Sequence, residues 1–388
     1  MQRAGFVSML VTAMGVATFV AGILSILSAE IIDEFDITRQ QFGLLITALL
    51  VTGAGLSFAS GKITDAIGGK AGFFLLFALA AAAYAVYGFA PAYWVMALGG
   101  LVGAMSNSLA NPTTNKLISL HIPAGRRSVI TGIKQSGVQG AVFFGGILLP
   151  DVARRLGWRG AMFTVAVFSI LFLPLVAAAI PRDTATTSAD RQGAAPVPGF
   201  VRWLALYGFL LGFAGSVTFL IPLFAQESLG MSADAGGTAA AVAGLAAFVG
   251  RIAWARIAER RDRYVVELLW IAVLSAGAGY VLLQATPELP SALWVGVVLV
   301  GLTSSSWNSV GMLAVISRAG VLRTGGATGT VQGGFLLGLG IGPPIFGRLV
   351  DRTGSYDSMW LLSIGFVAAA ALLCATWLWR DRVVRARR

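Results

Sequence analysis

Twelve apolar runs, each close to the length needed to cross a lipid bilayer, occupy almost the whole 388-residue chain. A transmembrane helix needs about 20 consecutive apolar residues, because the hydrocarbon core is about 30 Å thick. The sequence therefore predicts an all-α membrane protein with twelve transmembrane helices. The predicted helices are 4–28, 40–60, 71–90, 93–118, 128–150, 158–180, 200–226, 236–256, 265–285, 291–316, 326–347 and 357–379.

The composition excludes most classes of soluble protein. Only 12% of the residues are charged, whereas soluble domains average about 25%. The single cysteine and single histidine exclude a disulfide framework and a cysteine–histidine metal cluster, so we expect no metal and no other cofactor. The sequence has neither a Walker-type phosphate loop nor an HExxH motif, so we expect no enzymatic activity and no direct use of ATP.

Lysine and arginine are unevenly distributed between the predicted loops. With a cytoplasmic N-terminus, six of the 28 lie outside and Lys134 lies within a helix, which leaves 21 on the inner side. Because cytoplasmic loops are enriched in these residues, we predict a multi-pass protein of the inner (plasma) membrane with both termini cytoplasmic. The net charge of +11 then reflects topology in a lipid bilayer, and we expect a monomer with no nucleic-acid partner. The outer residues are Arg39, Arg154, Arg155, Arg159, Arg348 and Arg352.

Short motifs recur in the same order about half a chain apart. Thr131-Gly132-x-x-Gln135-x-Gly137 returns 197 residues later as Thr328-Gly329-x-x-Gln332-x-Gly334. Asn107-Ser108 returns 201 residues later as Asn308-Ser309. Parallel six-helix repeats are typical of transporters whose substrate cavity lies between the halves. The sequence therefore predicts bundles over 1–180 and 200–388, with a cytoplasmic linker over 181–199 and a basic cytoplasmic tail.

The loop after the second predicted helix, Gly61-Lys62-Ile63-Thr64-Asp65-Ala66-Ile67-Gly68-Gly69-Lys70, resembles the signature of the major facilitator superfamily. The resemblance covers essentially the whole chain and implies two bundles that work by alternating access. Ala66 and Gly69 stand where the family usually has basic residues, which implies an inner gate with fewer ion pairs. The expected gate residues are Asp65, Lys62, Glu259 and Arg256 on the inner side, with Glu30 and Glu227 as outer candidates. For these two outer acids, a solvated carboxylate at the membrane interface is the favoured alternative.

Two cations lie within predicted membrane helices, although no acid lies at mid-helix. Each such charge costs about 2.5–3.5 kcal/mol on insertion scales, so each needs a reason. Lys134 lies about 10 Å along the helix from Arg127, and Arg251 lies one to two turns inside the eighth helix. An unbalanced positive field is relieved by an anion, so the sequence predicts a small anionic solute. Snorkelling to the inner headgroups is the alternative for both cations, and a gate role is a further one for Arg251.

The spacing Arg251-x-x-x-Ala255-x-x-x-Glu259 resembles the eighth helix of the oxalate–formate and monocarboxylate transporter branch. That resemblance implies that Arg251 binds a substrate carboxylate. The oxalate branch also has a lysine on the eleventh helix, where this chain has Gln332, whereas its lysine is Lys134 on the fifth.

Amide side chains near these cations complete the predicted site, because amides donate hydrogen bonds to carboxylate oxygens without carrying charge. For each amide, a purely structural bond between helices is the alternative. The candidate substrate-binding residues are Lys134, Arg251, Gln135, Asn107, Asn111, Gln332, Asn308 and Trp307.

The predicted function is secondary active or facilitative transport of a small organic or inorganic anion, such as a monocarboxylate or dicarboxylate. An efflux pump for neutral or amphipathic compounds is the first alternative, and a non-transporting sensor is the second. No acid or histidine lies at mid-membrane to carry a proton. We therefore expect anion exchange or facilitated diffusion, with proton symport at Lys134 as the alternative.

Overall fold

The computed structural model describes residues 2–123, 127–180, 199–319 and 324–386, which form α-helices and no β-strand. The predicted all-α fold class is confirmed by this helical content. The helices are α1 (Gln2–Ile26), α2 (Ser28–Phe35), α3 (Arg39–Ile67), α4 (Gly69–Phe89), α5 (Tyr93–His121), α6 (Arg127–Ala179), α7 (Gly199–Gly215), α8 (Ile221–Glu227), α9 (Ala233–Arg261), α10 (Tyr264–Leu283), α11 (Ser291–Leu302), α12 (Trp307–Ala319), α13 (Thr324–Thr353) and α14 (Asp357–Ala386).

Four of the predicted membrane helices differ in detail from the observed ones. The fifth and sixth are joined in α6, where Gly157 has φ 71° and ψ 163° and separates two helical segments. The seventh is divided into α7, a 3₁₀ turn over Ser216–Leu220, and α8. The tenth is divided into α11 and α12, which are separated by the non-helical residues 303–306.

Nine segments of the described chain are long and apolar enough to cross a membrane. One of them, Ile133–Ala178, contains the predicted fifth and sixth helices on either side of Gly157. The predicted second and fourth helices form α3 and α5 but are not among the nine. The fourth is less apolar because three asparagines and Lys116 lie on it.

The chain forms two compact units. The first consists of Met1–Ile37 and Leu44–Gln192, and the second of Thr38–Gly43 and Gly193–Arg388. In the first unit α1 packs along α6, and α4 packs on α5 and α6. In the second unit α7 packs along α13, and α10 packs on α14 and α11. The same pairs of repeat-related helices are therefore in contact in each unit. The predicted linker lies almost entirely outside the described residues.

Left-handed backbone conformations also follow the repeat. The described residues with positive φ are Asp36, Gly68, Gly157, Gly230, Asp262 and Gly354. They form three pairs, Asp36 with Gly230, Gly68 with Asp262, and Gly157 with Gly354, separated by 194, 194 and 197 positions. Each follows a helical segment, where a left-handed residue ends the hydrogen-bond pattern. The repeat therefore extends from the sequence to the backbone turns.

A glycine at the same repeat position in each unit allows two helices to pack closely. The helices are α1 and α6 in the first unit, and α7 and α13 in the second. A Cβ added at Gly137 in α6 would lie 2.0 Å from the carbonyl oxygen of Val11 in α1. A Cβ added at Gly334 in α13 would lie 2.4 Å from the carbonyl oxygen of Ala205 in α7. Small residues permit such close helix packing in membranes. The repeated glycines of the sequence therefore have the same packing role in both units.

Candidate functional site

Lys134 is fully buried in the first unit, with 0% of its surface exposed. It lies in the first segment of α6, and its ammonium group points at α5. The Nζ atom donates to Thr114 Oγ1 at 2.7 Å, Asn115 Oδ1 at 2.6 Å and Asn111 Oδ1 at 3.3 Å. All three acceptors are neutral oxygens, so the described residues solvate the positive charge but do not neutralise it.

The local sequence of α5 places these acceptors together. Asn111, Thr114 and Asn115 are spaced i, i+3 and i+4, which places them on one helix face. Pro112 follows Asn111 and has no N–H to donate to the carbonyl of Ser108. The buried hydroxyl of Ser60 in α3 donates to that carbonyl at 2.9 Å. The proline therefore sits beside the cluster without leaving the freed carbonyl unpaired.

Gln135 extends the cluster by one residue. Its Nε2 atom donates to Asn111 Oδ1 at 3.1 Å, so that oxygen accepts from two side chains. Asn111 and Asn115 are themselves exposed, whereas Asn107, one turn before Asn111, is half-buried. Of the predicted residues, the structure thus brings Lys134, Gln135 and Asn111 into one hydrogen-bonded group.

Arg251 lies in the second unit, on α9, against the interruption between α11 and α12. Its Nε atom donates to the carbonyl oxygen of Ser305 at 3.1 Å. On the next turn, Trp254 Nε1 donates to the carbonyl oxygen of Leu302 at 2.8 Å. The end of α11 leaves carbonyls without helical partners, and a cation there is favoured by the helix dipole. Arg251 therefore forms a structural hydrogen bond with the backbone and also carries a positive charge.

The other predicted residues of the second unit have different environments. Asn308 Nδ2 donates to Gln332 Oε1 at 3.3 Å, which links α12 to α13. Trp307 is 1% exposed and packs between the rings of Tyr207 and Phe335. The indole of Trp307 is therefore part of the core of this unit and has no open surface in this structure.

The predicted inner gate is only partly visible. Lys62 and Asp65 lie on α3, but their side chains are outside the described part of the structure. Arg256 and Glu259 are exposed on α9, and neither forms an ion pair with another described side chain. The role of these four residues in gating stays a prediction.

The two outer acids differ from each other. In the first unit, Glu30 has a buried Oε2 atom without a hydrogen-bond partner among the described residues. Burial raises the pKa of Glu30, and the neighbouring charge of Asp33 adds to that effect. In the second unit, Glu227 accepts from Arg39 Nε at 2.8 Å and from the hydroxyl of Tyr356 at 2.5 Å.

Three residues with defined roles were not selected from the sequence. Thr114 and Asn115 hold the Lys134 ammonium, and their i+3 and i+4 spacing from Asn111 is the signal that would have found them. Arg39 binds Glu227 and also Asp351, at 3.3 Å between Nη1 and Oδ1. Nothing in the local sequence of Arg39 identifies these partners, because they lie about 190 and 310 positions away.

The chemistry available in the described residues is that of binding. Within the described part of the chain, no group of three histidine, cysteine, aspartate or glutamate side chains is placed to hold a metal. The Lys134 cluster instead combines one buried positive charge with exposed amide groups. Such an arrangement stabilises negative charge and supplies hydrogen-bond donors to it.

Comparison with known proteins gives relatives along most of the chain. An uncharacterised MFS-type transporter of Mycobacterium tuberculosis is 25% identical over 326 residues, covering 81% of this chain and 72% of the relative. A probable sulfoacetate transporter of Cupriavidus necator is 24% identical over 383 residues, covering 90% of this chain and 87% of the relative.

Solved structures agree with the fold. A bacterial homologue of the human lysosomal transporter Spinster superposes with a TM-score of 0.73 at 17% identity, over 96% of both chains. At that identity the likeness shows the shared fold alone. The family model of the Major Facilitator Superfamily matches residues 6–319, which is most of the chain. With its helical architecture and its repeat, the chain belongs to the Major Facilitator Superfamily of membrane transporters.

Proposed function

We propose that this transporter carries a small organic anion by alternating access, and that Lys134 supplies positive charge to the binding site. The observation that carries the proposal is the burial of Lys134 at 0% exposure among three neutral oxygens. A buried charge that is hydrogen-bonded but not neutralised costs free energy, and a bound anion would recover part of that cost.

Arg251 is the second proposed cation of the site. Its Nε atom donates to the carbonyl oxygen of Ser305. The bond fixes the side chain at the interruption of the tenth predicted helix, and interrupted helices are the usual location of substrate sites in transporters. Assignment to the oxalate–formate and monocarboxylate branch rests on the spacing of Arg251, Ala255 and Glu259, and stays a prediction.

A relative supports an anionic substrate. The probable sulfoacetate transporter of C. necator aligns over 90% of this chain, and sulfoacetate carries a carboxylate and a sulfonate. Both groups present oxygens that accept hydrogen bonds and carry negative charge. We propose carboxylates and sulfonates of this size as the substrate class, transported across the inner membrane with both termini of the protein cytoplasmic.

Uptake into proteoliposomes tests this proposal. Labelled sulfoacetate, acetate and a neutral amphipathic compound are compared with the wild-type protein, in vesicles with and without internal unlabelled anion. We expect saturable transport of at least one anion and none of the neutral compound. Stimulation by internal anion would identify exchange, and concentrative uptake driven by a pH gradient alone would identify proton symport.

A matched pair of variants ties the transport to Lys134. Lys134→Met removes the buried charge and should reduce anion transport at least tenfold. Lys70→Met removes the same charge from a lysine that binds the carbonyl of Ala177 at 2.7 Å, and should leave transport within about twofold. Transport of the neutral compound alone, or equal transport by both variants, would contradict the proposal.

A further inference from the structure

The ammonium group of Lys134 has no donor left for a solute. An ammonium carries three N–H groups, and three oxygens of α5 accept from it at 2.6, 2.7 and 3.3 Å. With 0% of the residue exposed, a solute cannot reach it unless one of those bonds breaks. Contact with an anion must therefore come from neighbouring groups, if the anion binds at this cluster.

The same bonds fix the direction of two amides. Because an ammonium can only donate, the side-chain oxygens of Asn111 and Asn115 must face Lys134. The NH₂ end of each amide is then directed away from the ammonium. Gln135 Nε2 holds the oxygen of Asn111 a second time, at 3.1 Å. Chemistry therefore determines which end of each asparagine is presented outward.

The third partner of the ammonium is fixed as well. The hydroxyl of Thr114 donates to the carbonyl oxygen of Ala110 at 2.5 Å and accepts from Lys134 at 2.7 Å. Its proton is therefore committed to the helix backbone, and only its lone pair faces Lys134. Thr114 holds the ammonium in place and presents no donor of its own.

Both asparagines are exposed and lie one helical turn apart on α5. Neighbours at i and i+4 have Cβ atoms about 5–6 Å apart, which is a spacing that oxygens of one small anion can span. Exposed amide N–H groups within a membrane helix are costly in hydrocarbon and are found facing a bundle interior or a water-filled cavity. The described residues provide no acceptor for either NH₂ group.

Resting on the proposed function, we infer that Asn111 and Asn115 form the donor pair that contacts the carboxylate or sulfonate oxygens. Lys134 is a positioning residue, which orients both amides and polarises their N–H groups without touching the anion. The site is thus a pair of neutral donors with a positive charge behind them.

The asparagine content of the chain permits a direct test. The sequence contains four asparagines, Asn107, Asn111, Asn115 and Asn308. Selective ¹⁵N labelling of asparagine side chains therefore gives four NH₂ signals, each assignable by one substitution. Titration of the full-length protein in nanodiscs with sulfoacetate, and then with acetate, should shift the Asn111 and Asn115 amide protons downfield and leave Asn107 and Asn308 nearly unchanged.

The positioning role has its own readout, which needs no ligand. In Lys134→Met, the Asn111 and Asn115 amides lose the group that orients them, so their signals should move or broaden while those of Asn107 and Asn308 stay in place. Lys134→Arg keeps the charge and the donors, and should retain at least part of the wild-type anion response. A lysine with a merely structural role would change all four signals or none.

Substitution of the donors complements the spectra. Asn115→Asp keeps an oxygen for Lys134 but removes the outward NH₂ group, and should weaken sulfoacetate binding about 100-fold. Lys70→Met, at a lysine outside the cluster, is the control and should bind within about threefold of wild type. One contrary outcome is that calorimetry detects anion binding while the anion-induced shifts are confined to Asn107 or Asn308. That result would overturn the assignment of Asn111 and Asn115 as the donors, but it would leave the transport proposal standing. Absence of binding by any anion would overturn both.

Discussion

The cluster around Lys134 and the corresponding positions of the second unit occupy the same place in the repeat but have opposite chemistry. At the separations of the repeated motifs, Lys134 corresponds to Val331, Thr114 to Val315 and Asn111 to Met312. Val331 and Val315 are 0% exposed, and Met312 packs against the same core. The fold therefore accepts apolar packing here, and does not itself require the polar groups of the first unit.

In the second unit the corresponding hydrogen bonds involve other groups. One links two amide side chains, of which Asn308 lies one helical turn before Met312, and another is accepted by a backbone carbonyl. Gln332 binds Asn308, the counterpart of Asn107, whereas Gln135 binds Asn111. Arg251 binds a carbonyl at the interruption between α11 and α12, rather than a set of side chains. The two units thus share helices, turns and glycines but differ in how each holds a cation. We attribute the difference to function, since buried polar groups cost free energy that the apolar version avoids.

Converting the first unit to the pattern of the second should have the largest effect. In the combined variant Asn111→Met, Thr114→Val and Lys134→Val, we expect at least a 100-fold loss of anion transport. Thermal unfolding in detergent should show unchanged or higher stability, because well-packed apolar groups often replace buried charged networks without cost. If a folded variant retained transport, the polar groups of the first unit would not be required for function.

Loss of the second cation should affect both stability and binding. Arg251→Gln leaves the Ser305 carbonyl without its donor and should cost about 1–3 kcal/mol of stability. We also expect roughly tenfold weaker anion binding, from the lost charge. Arg256→Gln, on the exposed face of the same helix, is the control and should change stability by less than about 0.5 kcal/mol. Equal behaviour of the two variants would mean that Arg251 is an ordinary surface cation.

The shared glycines test the structural side of the comparison. Gly137→Ala and Gly334→Ala place a Cβ against backbone in both units, so each should destabilise the protein by about 1–3 kcal/mol. Gly140→Ala and Gly333→Ala place it in open space, and should be neutral or slightly stabilising. The midpoint of thermal unfolding of each of the four variants measures these changes in stability. A large cost in one unit only would show that the two interfaces are not equivalent.

An ion pair found in the first unit alone should have the smallest effect. Glu34 accepts from Arg159 and from the indole N–H of Trp158, and the repeat places Ser228 opposite Glu34. The hydrogen bond from Arg159 lowers the pKa of Glu34, although partial burial opposes it. The pair is therefore fully stabilising above the unfolded-state pKa of about 4.3, and is lost as the pH falls through the folded-state value.

Both side chains are partly exposed to solvent, so the contribution of the pair to stability should be below about 1 kcal/mol. Unfolding midpoints of wild type and Glu34→Gln, compared at pH 7 and pH 3, should differ at the higher pH and converge at the lower. A difference that persisted at pH 3 would show that packing, rather than the carboxylate charge, stabilises this contact.

Sequence patterns predicted the fold well, because apolar length and repeated motifs are local properties. The fifth and sixth helices were predicted as separate, and the non-helical Gly157 does separate the two segments of α6. Division of the seventh and tenth helices was not predicted. The run Thr303-Ser304-Ser305-Ser306 was the available signal for the tenth, since clustered hydroxyl residues favour turns over helix.

The candidate site was only partly predictable. The cost of charge in a membrane identified Lys134 and Arg251, and Asn111 was predicted as an amide of the site without a stated partner. The burial of Trp307 and the saturation of the Lys134 donors depend on packing between helices distant in sequence. Periodicity along one helix contains no information on which neighbouring side chain fills a hydrogen bond, so these features required the structure.

The most direct test of the account is the position of a bound anion. Crystals of the transporter soaked in 2-bromoethanesulfonate can be measured at the bromine absorption edge, so that the anomalous peak locates the ligand. We predict sulfonate oxygens within about 3 Å of the Nδ2 atoms of Asn111 and Asn115, with Lys134 still bound to α5. A fully bound ligand whose sulfonate contacts neither asparagine would contradict it.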